Sequence, residues 1–136
     1  PGKTNLKPGD IVTAISFPLP PQGHASTYVK LGRNKLSDLS IVGVTVLGNI
    51  DTKKQSGFRF RVILASVAPV PLIVTQAETY LSSHEVNQET IHQAACIASE
   101  ASHPINDVRG SARYRREMVR NLTENALIKV WKKLNQ

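Results

Sequence analysis

Two hydrophobic periodicities follow one another along the chain, and their order limits the possible folds. In the first half, short apolar runs rich in β-branched residues are separated by prolines and glycines, a pattern typical of strands. In the second half, apolar residues recur every three to four positions, as in amphipathic helices. Strands followed by helices favour an α+β fold over an alternating α/β fold.

Four segments of the first half are predicted to be extended. Residues 11–17 alternate loosely between apolar and polar side chains, and they are bounded by a Pro-Gly pair before them and a proline after them. Residues 25–31 form a second extended stretch. Residues 39–47 are apolar at nearly every position, so we expect both faces of this strand to be covered. A polar hairpin at 48–57 leads to a further strand at 58–67. The short connections predict antiparallel pairing.

Three helices are predicted in the second half. A short one covers residues 75–82, the next begins after the N-cap Asn87, and the last covers residues 111–134 with Ser111 at its start. The last helix has an apolar stripe, and its arginines are predicted to lie on the opposite, solvated face. The predicted fold is therefore an α+β two-layer sandwich in which an antiparallel sheet of three to four strands packs against about three helices.

Length and composition limit the class of protein. The chain has 136 residues, 40% of them hydrophobic, which fits one globular domain. No apolar run approaches the roughly 18 residues of a membrane-spanning helix, so we expect no membrane contact. The single cysteine, Cys96, excludes an internal disulfide and suits a reducing compartment, which favours a cytoplasmic location. The chain opens at Pro1 without an initiator methionine, so we expect a fragment or a processed polypeptide.

The positive charge raises a nucleic-acid hypothesis, because the formal net charge is +7. Residues 105–136 contain eight basic residues against three acidic ones. Aromatic residues make up only 5% of the chain, and no strand has the aromatic spacing of an RNA-binding platform. We therefore interpret the basic residues as a solvated helix face, with a stand-alone nucleic-acid-binding module as the alternative.

The residues alone predict no catalytic and no metal-binding site. The sequence contains no phosphate-binding loop, no dinucleotide fingerprint and no nucleophile elbow. Cys96 is predicted to be a packing residue, and His92, four positions earlier, a residue of the helix surface. Two polar clusters remain, at 30–38 before an apolar strand and at 106–111 before the last helix. From the residues alone the first is either a solvated hairpin loop, the more usual case, or a strand edge where a glycine and cations approach a phosphate or an aromatic ring.

Three motifs at residues 28–46, 66–78 and 105–119 resemble the C-terminal domain of the flavoprotein subunit of molybdenum hydroxylases, a group that includes carbon monoxide dehydrogenase and xanthine dehydrogenase. They read YVKLGRNKLSDLSIVGVTV, SVAPVPLIVTQAE and INDVRGSARYRREMV. The segment before these motifs, the lead-in at residues 6–20, resembles the last strand of the preceding FAD-binding domain. The resemblance thus divides the chain into a lead-in strand at residues 1–20 and the flavoprotein C-terminal α+β domain at residues 21–136.

This resemblance implies an oxidoreductase function that the fragment alone does not perform. In such a complex, a molybdopterin subunit hydroxylates the substrate, and 2Fe-2S clusters of an iron–sulfur subunit relay electrons to FAD. The FAD passes them to NAD or another acceptor. The preceding domains hold most of the FAD, and this domain helps to position it. An assembly domain that contacts partner subunits without touching the flavin is a further alternative.

The resemblance also implies which residues lie near the cofactor. Lys30 matches a lysine that contacts FAD, and Val12 matches a lead-in residue that lies against it. Gly32 and Arg33 belong to a loop near the isoalloxazine ring. Many relatives have a second arginine where this chain has Asn34, so the resemblance does not extend to control of the charge at the flavin. The later motif is expected to be structural, fixing the start of the last helix or a subunit contact, through Asp107, Arg109, Ser111, Tyr114 and Arg115.

Overall fold

The computed structural model describes residues 3–34 and 38–136. A four-stranded antiparallel sheet has the order β1-β2-β3-β4, with strands at Ala25–Leu31, Val42–Ile50, Phe58–Ala65 and Leu72–Ile73. Three helices follow, α1 at Thr75–Ser83, α2 at Gln88–Ala101 and α3 at Ala112–Leu134. Helices α1 and α3 pack on one face of the sheet and α2 packs against these two helices, which confirms the predicted α+β two-layer sandwich.

The face of the sheet under the helices forms the core. Alternate residues of the central strand β2 point to it, and Val42, Val44 and Val46 are completely buried there. Gly48, next in the same row, lies directly beneath α3. A Cβ atom at that position would stand 2.8 Å from a methyl carbon of Val130. Glycine therefore allows the long helix to approach the sheet closely.

The helix starts follow from local capping. Asn87 and Thr90 form a reciprocal capping box at the start of α2, as the sequence predicts for Asn87. The side chain of Ser111 accepts the backbone N–H of Tyr114 and caps α3. These contacts satisfy backbone donors that a helix leaves unpaired at its first turn. Among the described residues, none of the helices combines the length and apolarity needed to cross a bilayer.

The opposite face of the sheet is open. It carries Tyr28 and Lys30 of β1, half-buried Thr45 and Leu47 of β2, and Ile63 of β3. Tyr28 is 59% exposed. The prediction that both faces of the strand at residues 39–47 are covered therefore holds fully for the helix side and only partly for the open side.

Three sequence predictions need correction, and the sequence gives no prediction for one short strand. Residues 11–20 have no regular secondary structure and are exposed, because a strand needs a neighbouring backbone and no described strand pairs with them. The strand predicted from residue 39 begins only at Val42. The two-residue strand β4 between Pro71 and α1 was not predicted. Arg115 is 2% exposed and belongs to the core, not to the solvated face of the last helix.

Candidate functional site

Lys30 lies near the end of β1 on the open face of the sheet. Its cross-strand neighbour is Gly43, which pairs in turn with Ala65 of β3, so small residues flank the lysine. Lys30 is exposed and makes no hydrogen bond or ion pair with any described residue. The ring of Tyr28 covers Gly43, since a Cβ atom there would stand 3.3 Å from the phenolic oxygen. An uncompensated cation and an exposed aromatic ring therefore share this edge of the sheet.

The loop after β1 brings three of the four predicted site residues together. Lys30, Gly32 and Arg33, with Leu31 and Asn34, line an open depression of about 320 Å³. A Cβ atom on Gly32 would lie 3.2 Å from the carbonyl oxygen of Asn34, so the loop turns tightly at the glycine. The fourth residue, Val12, does not line this depression. It is 59% exposed in the lead-in segment.

Asp38 fixes the other end of the described loop. Its side chain is only 4% exposed and accepts hydrogen bonds from the backbone N–H of Arg33, from Nε at 3.2 Å and from Nη2 at 3.3 Å. The side-chain and backbone hydrogen bonds from Arg33 hold the pKa of Asp38 below its usual value. The charge of Arg33 is thereby balanced, so among the residues that the structure describes around this depression, Lys30 is the cation without a partner.

The second polar cluster joins three parts of the fold. Asp107 accepts Nη2 of Arg109 at 2.7 Å, the Arg109 backbone N–H at 2.8 Å, and Nη2 of Arg115. Nη1 of Arg115 donates to the carbonyl oxygens of Ile41 at 3.3 Å and Ser66 at 3.1 Å. Hydrogen bonds from Arg109, with a further contribution from Arg115, hold the pKa of Asp107 far below its usual value.

This arrangement confirms the expectation that the motif at residues 105–119 is structural. Arg115 ties the start of β2 and the end of β3 to the turn before α3. A backbone bridge between Asp107 and Gly110 closes that turn. Ser66 adopts a left-handed backbone with φ of 66°, which is rare for a residue with a side chain, and its carbonyl is held by Arg115.

Sequence reasoning missed two contributions to these sites. The sequence places Asp38 in the first polar cluster and predicts no role for it, although its position five residues after Arg33 across a polar loop is compatible with an ion pair. Tyr28 was not considered a site residue. Tyr28 lies two positions before Lys30 in an extended segment, and this spacing places both side chains on one face of the strand. The sequence therefore contained the signal that Tyr28 lies beside Lys30.

Comparison with known proteins identifies the family. The family model of the CO dehydrogenase flavoprotein C-terminal domain matches residues 26–130, a range that includes all of β1 except Ala25, the loop and the Asp107 cluster. The chain belongs to this family. The matched range begins after the lead-in segment, so residues 1–20 are not part of the match.

Individual relatives agree with this assignment. The chain is 31% identical over 115 residues to the carbon monoxide dehydrogenase medium chain of Afipia carboxidovorans, covering 85% of this chain and 39% of that protein. It is 27% identical over 130 residues to the glyceraldehyde dehydrogenase medium chain of Sulfolobus acidocaldarius, covering 96% and 45%. A solved carbon monoxide dehydrogenase from Hydrogenophaga pseudoflava superposes with a TM-score of 0.76 at 29% identity, covering 85% of this chain and 39% of that one.

The matched share of the relatives' length limits the similarity to one domain of those proteins. The chain spans about two fifths of the length of the medium chains that it matches. The family and the fold are those of the C-terminal domain of such a chain. The fold and the motifs at residues 28–46, 66–78 and 105–119 agree with the resemblance found in the sequence.

Proposed function

We propose that this chain is the C-terminal domain of the FAD-binding subunit of a molybdenum-containing hydroxylase or dehydrogenase. In this role the edge of the sheet at Lys30 and the loop after β1 help to position the flavin. The family match and the similarity to dehydrogenase medium chains support the proposal. The observation that carries the site is the cation of Lys30, which has no partner among the described residues and lies at the rim of an open depression.

The described residues fit an edge contact with FAD and not a complete binding site. Lys30 would hold a phosphate or the polar edge of the ring system, and Gly32 would allow the backbone to approach it closely. The sequence has no glycine-rich segment of the kind that cradles a diphosphate. When bound, FAD supplies the acceptance and onward transfer of electrons, whereas this domain orients it and sets its surroundings. We assign no catalytic residue to the domain itself.

The remaining parts of the function follow from the same proposal. The electrons would come from 2Fe-2S clusters on an iron–sulfur subunit and originate at a molybdopterin subunit. They would leave the flavin for NAD or another acceptor. The similarity to medium chains of dehydrogenases supports a place in a complex of several subunits. We propose a cytoplasmic location, in keeping with the single cysteine.

The open face of the sheet favours a second role, as a contact surface for another folded domain. Tyr28 is 59% exposed and Ile73 is 49% exposed on this face, with partly exposed Leu47 and Ile63 in neighbouring positions. Partly apolar, partly exposed sheet faces are typical of surfaces that pack in an assembly. The lead-in residues 1–20, which we propose derive from the end of a preceding FAD-binding domain, would connect to such a partner. Assembly and flavin contact are compatible here.

The structure gives nucleic-acid binding less support than the sequence does. Arg115 is buried, Arg109 is paired with Asp107, and the exposed Arg113 forms an ion pair with Glu117 at 3.2 Å. These contacts remove several of the cations from the basic cluster that raised the hypothesis. The comparisons support dehydrogenase subunits instead.

The test is a fluorescence titration of the native polypeptide with FAD, in wild-type form and as Lys30→Ala. A charge-assisted hydrogen bond contributes about 1.5–3 kcal/mol, so the variant should bind FAD about tenfold more weakly or worse. The matched control is Lys132→Ala, which removes an exposed lysine from the end of α3 and should leave the dissociation constant unchanged. Equal FAD affinity of wild type and Lys30→Ala would exclude the proposed contact.

A further inference from the structure

Away from the depression, three side chains of α2 and α3 form a hydrogen-bonded chain. The Sγ atom of Cys96 lies 3.6 Å from Nε2 of His92, one turn earlier on α2. Nδ1 of the same imidazole lies 3.0 Å from Oε2 of Glu124 on α3. The cysteine that the sequence predicts to be a packing residue therefore has a base within hydrogen-bonding distance, and that base has its own orienting group.

The carboxylate decides which nitrogen of the imidazole carries the proton. An ionised carboxylate only accepts hydrogen bonds, so Nδ1 of His92 must donate to Glu124. In the neutral ring the lone pair is then on Nε2, which faces the thiol. Transfer of the thiol proton to Nε2 produces an imidazolium whose charge Glu124 stabilises. A nucleophile, a base and an orienting group in this order are the arrangement that activates cysteine thiols.

We propose that Cys96 is a site of oxidative modification by hydrogen peroxide or another small hydroperoxide, promoted by His92 and Glu124. The Cys96 thiolate attacks one peroxide oxygen, an S–O bond forms and the O–O bond breaks. The sulfur is oxidised by two electrons to a sulfenic acid and the peroxide is reduced. The proton held by His92 joins the departing oxygen, so hydrogen peroxide leaves as water. This proposal does not rest on the flavin role.

The surroundings favour this chemistry over two others. The His92 ring stands between the sulfur and the Glu124 carboxylate, so the three groups do not converge on one ion. No group of three metal-ligating side chains occurs within residues 3–34 and 38–136. Cys96 is partly exposed and His92 is 53% exposed, so a small peroxide reaches the thiol without a binding pocket. A hydrolase would in addition need donors for a developing oxyanion.

The experiment treats the native polypeptide with hydrogen peroxide and follows the Cys96 peptide by mass spectrometry as a sulfenic-acid trapping reagent adds to it. Peptide resolution separates Cys96 from any other thiol of the preparation. An unassisted thiol is only a few per cent ionised at neutral pH. We therefore expect His92→Gln to slow the trapping rate by about 5- to 10-fold. The control His84→Gln removes an exposed histidine near the end of α1 and should leave the rate unchanged.

Two further measurements separate activation from folding. Glu124→Gln keeps a hydrogen-bond acceptor for Nδ1 but loses the charge, so we expect a rate between those of wild type and His92→Gln. In urea, all variants should react at one common rate, because the three groups no longer meet. A trapping rate that is the same in wild type, His92→Gln and Glu124→Gln would overturn the proposal. So would a folded wild-type rate no higher than the rate in urea.

Discussion

Two aspartate–arginine clusters of this domain use the same chemistry over different ranges of the chain. Asp38 binds Arg33 within one loop, and the Arg33 side chain is 63% exposed. Asp107 binds Arg115, which is 2% exposed and also holds the carbonyl oxygen of Ile41, 74 residues away in sequence. The first contact shapes a loop beside a candidate cofactor site, whereas the second joins the sheet to the last helix. The structural role of each ion pair depends more on the other residues that its side chains contact than on the pair itself.

The largest expected effect that separates the two clusters is on folding stability. Arg115→Ala removes hydrogen bonds to the residues that flank β2 and β3, Ile41 and Ser66, and leaves a gap among buried residues. We expect it to lower the free energy of unfolding by about 3 kcal/mol and the Tm by about 10 °C, measured by thermal unfolding of the native polypeptide. Arg116→Ala, next to it on the exposed side of α3, is the control and should shift the Tm by less than about 2 °C. Similar Tm values for both variants would contradict a structural role for Arg115.

Acid unfolding sharpens the comparison. The pKa of Asp107 and the pKa of Asp38 lie below the usual 3.8 in the folded state, chiefly because arginine side chains donate hydrogen bonds to them. As the pH falls below about 3.8, these two carboxylates take up protons in the unfolded chain but not in the folded chain. Both groups therefore stabilise the fold at higher pH, and this stabilisation is lost as the pH falls toward their folded-state pKa values. Because the pKa of Asp107 is far lower and its cluster joins more elements, Asp107→Asn should flatten the acid limb of stability against pH more than Asp38→Asn. Equal acid limbs for the two variants would show that the clusters contribute alike.

The cap that follows the Asp107 cluster provides an intermediate effect. Ser111→Ala removes the acceptor for the Tyr114 N–H at the start of α3 and should cost about 1 kcal/mol of unfolding free energy. Chemical denaturation measures this loss, and Ser111→Asn, which retains a capping acceptor, should recover most of it. If Ser111→Ala proves as stable as wild type, the cluster alone fixes the helix start.

The smallest effect on stability is expected at the loop. Arg33→Ala should change the Tm by less than about 2 °C, since its contacts are local and the side chain is largely exposed. The amides of the loop after β1 should nevertheless exchange with solvent faster, because Asp38 loses its side-chain donors. Hydrogen exchange resolved by peptide tests this, with the β3 peptides as the internal reference. A large fall in Tm would remove the distinction between the clusters.

Much of the fold could be predicted because local rules and tertiary packing agree. Periodicity located three of the four strands, and the capping residues Asn87 and Ser111 marked the helix starts that the structure has. The strand predicted at residues 11–17 failed because β-propensity creates no strand without a neighbouring backbone. The strand β4 is two residues long beside Pro71 and is too short for a periodic pattern.

The sites were less predictable, since their contacts join distant residues. The helical position of Arg115 beside other arginines indicates solvent exposure. Its burial is explained by the Asp107 carboxylate and the carbonyl groups of Ile41 and Ser66, which accept its hydrogen bonds. Lys30, Gly32 and Arg33 are close in sequence, and the structure brings them to one depression. Their proposed role in flavin contact comes from the family resemblance and not from the pattern.

The most direct test of the proposed flavin contact is hydrogen exchange of the native polypeptide with and without FAD. We predict slower exchange on FAD binding in β1 and in the loop that contains Gly32 and Arg33, with smaller changes in the peptides of α3. Lys30→Ala should reduce this protection at equal FAD concentration. Protection that leaves β1 and its loop unchanged, while FAD binds elsewhere in the polypeptide, would contradict the account.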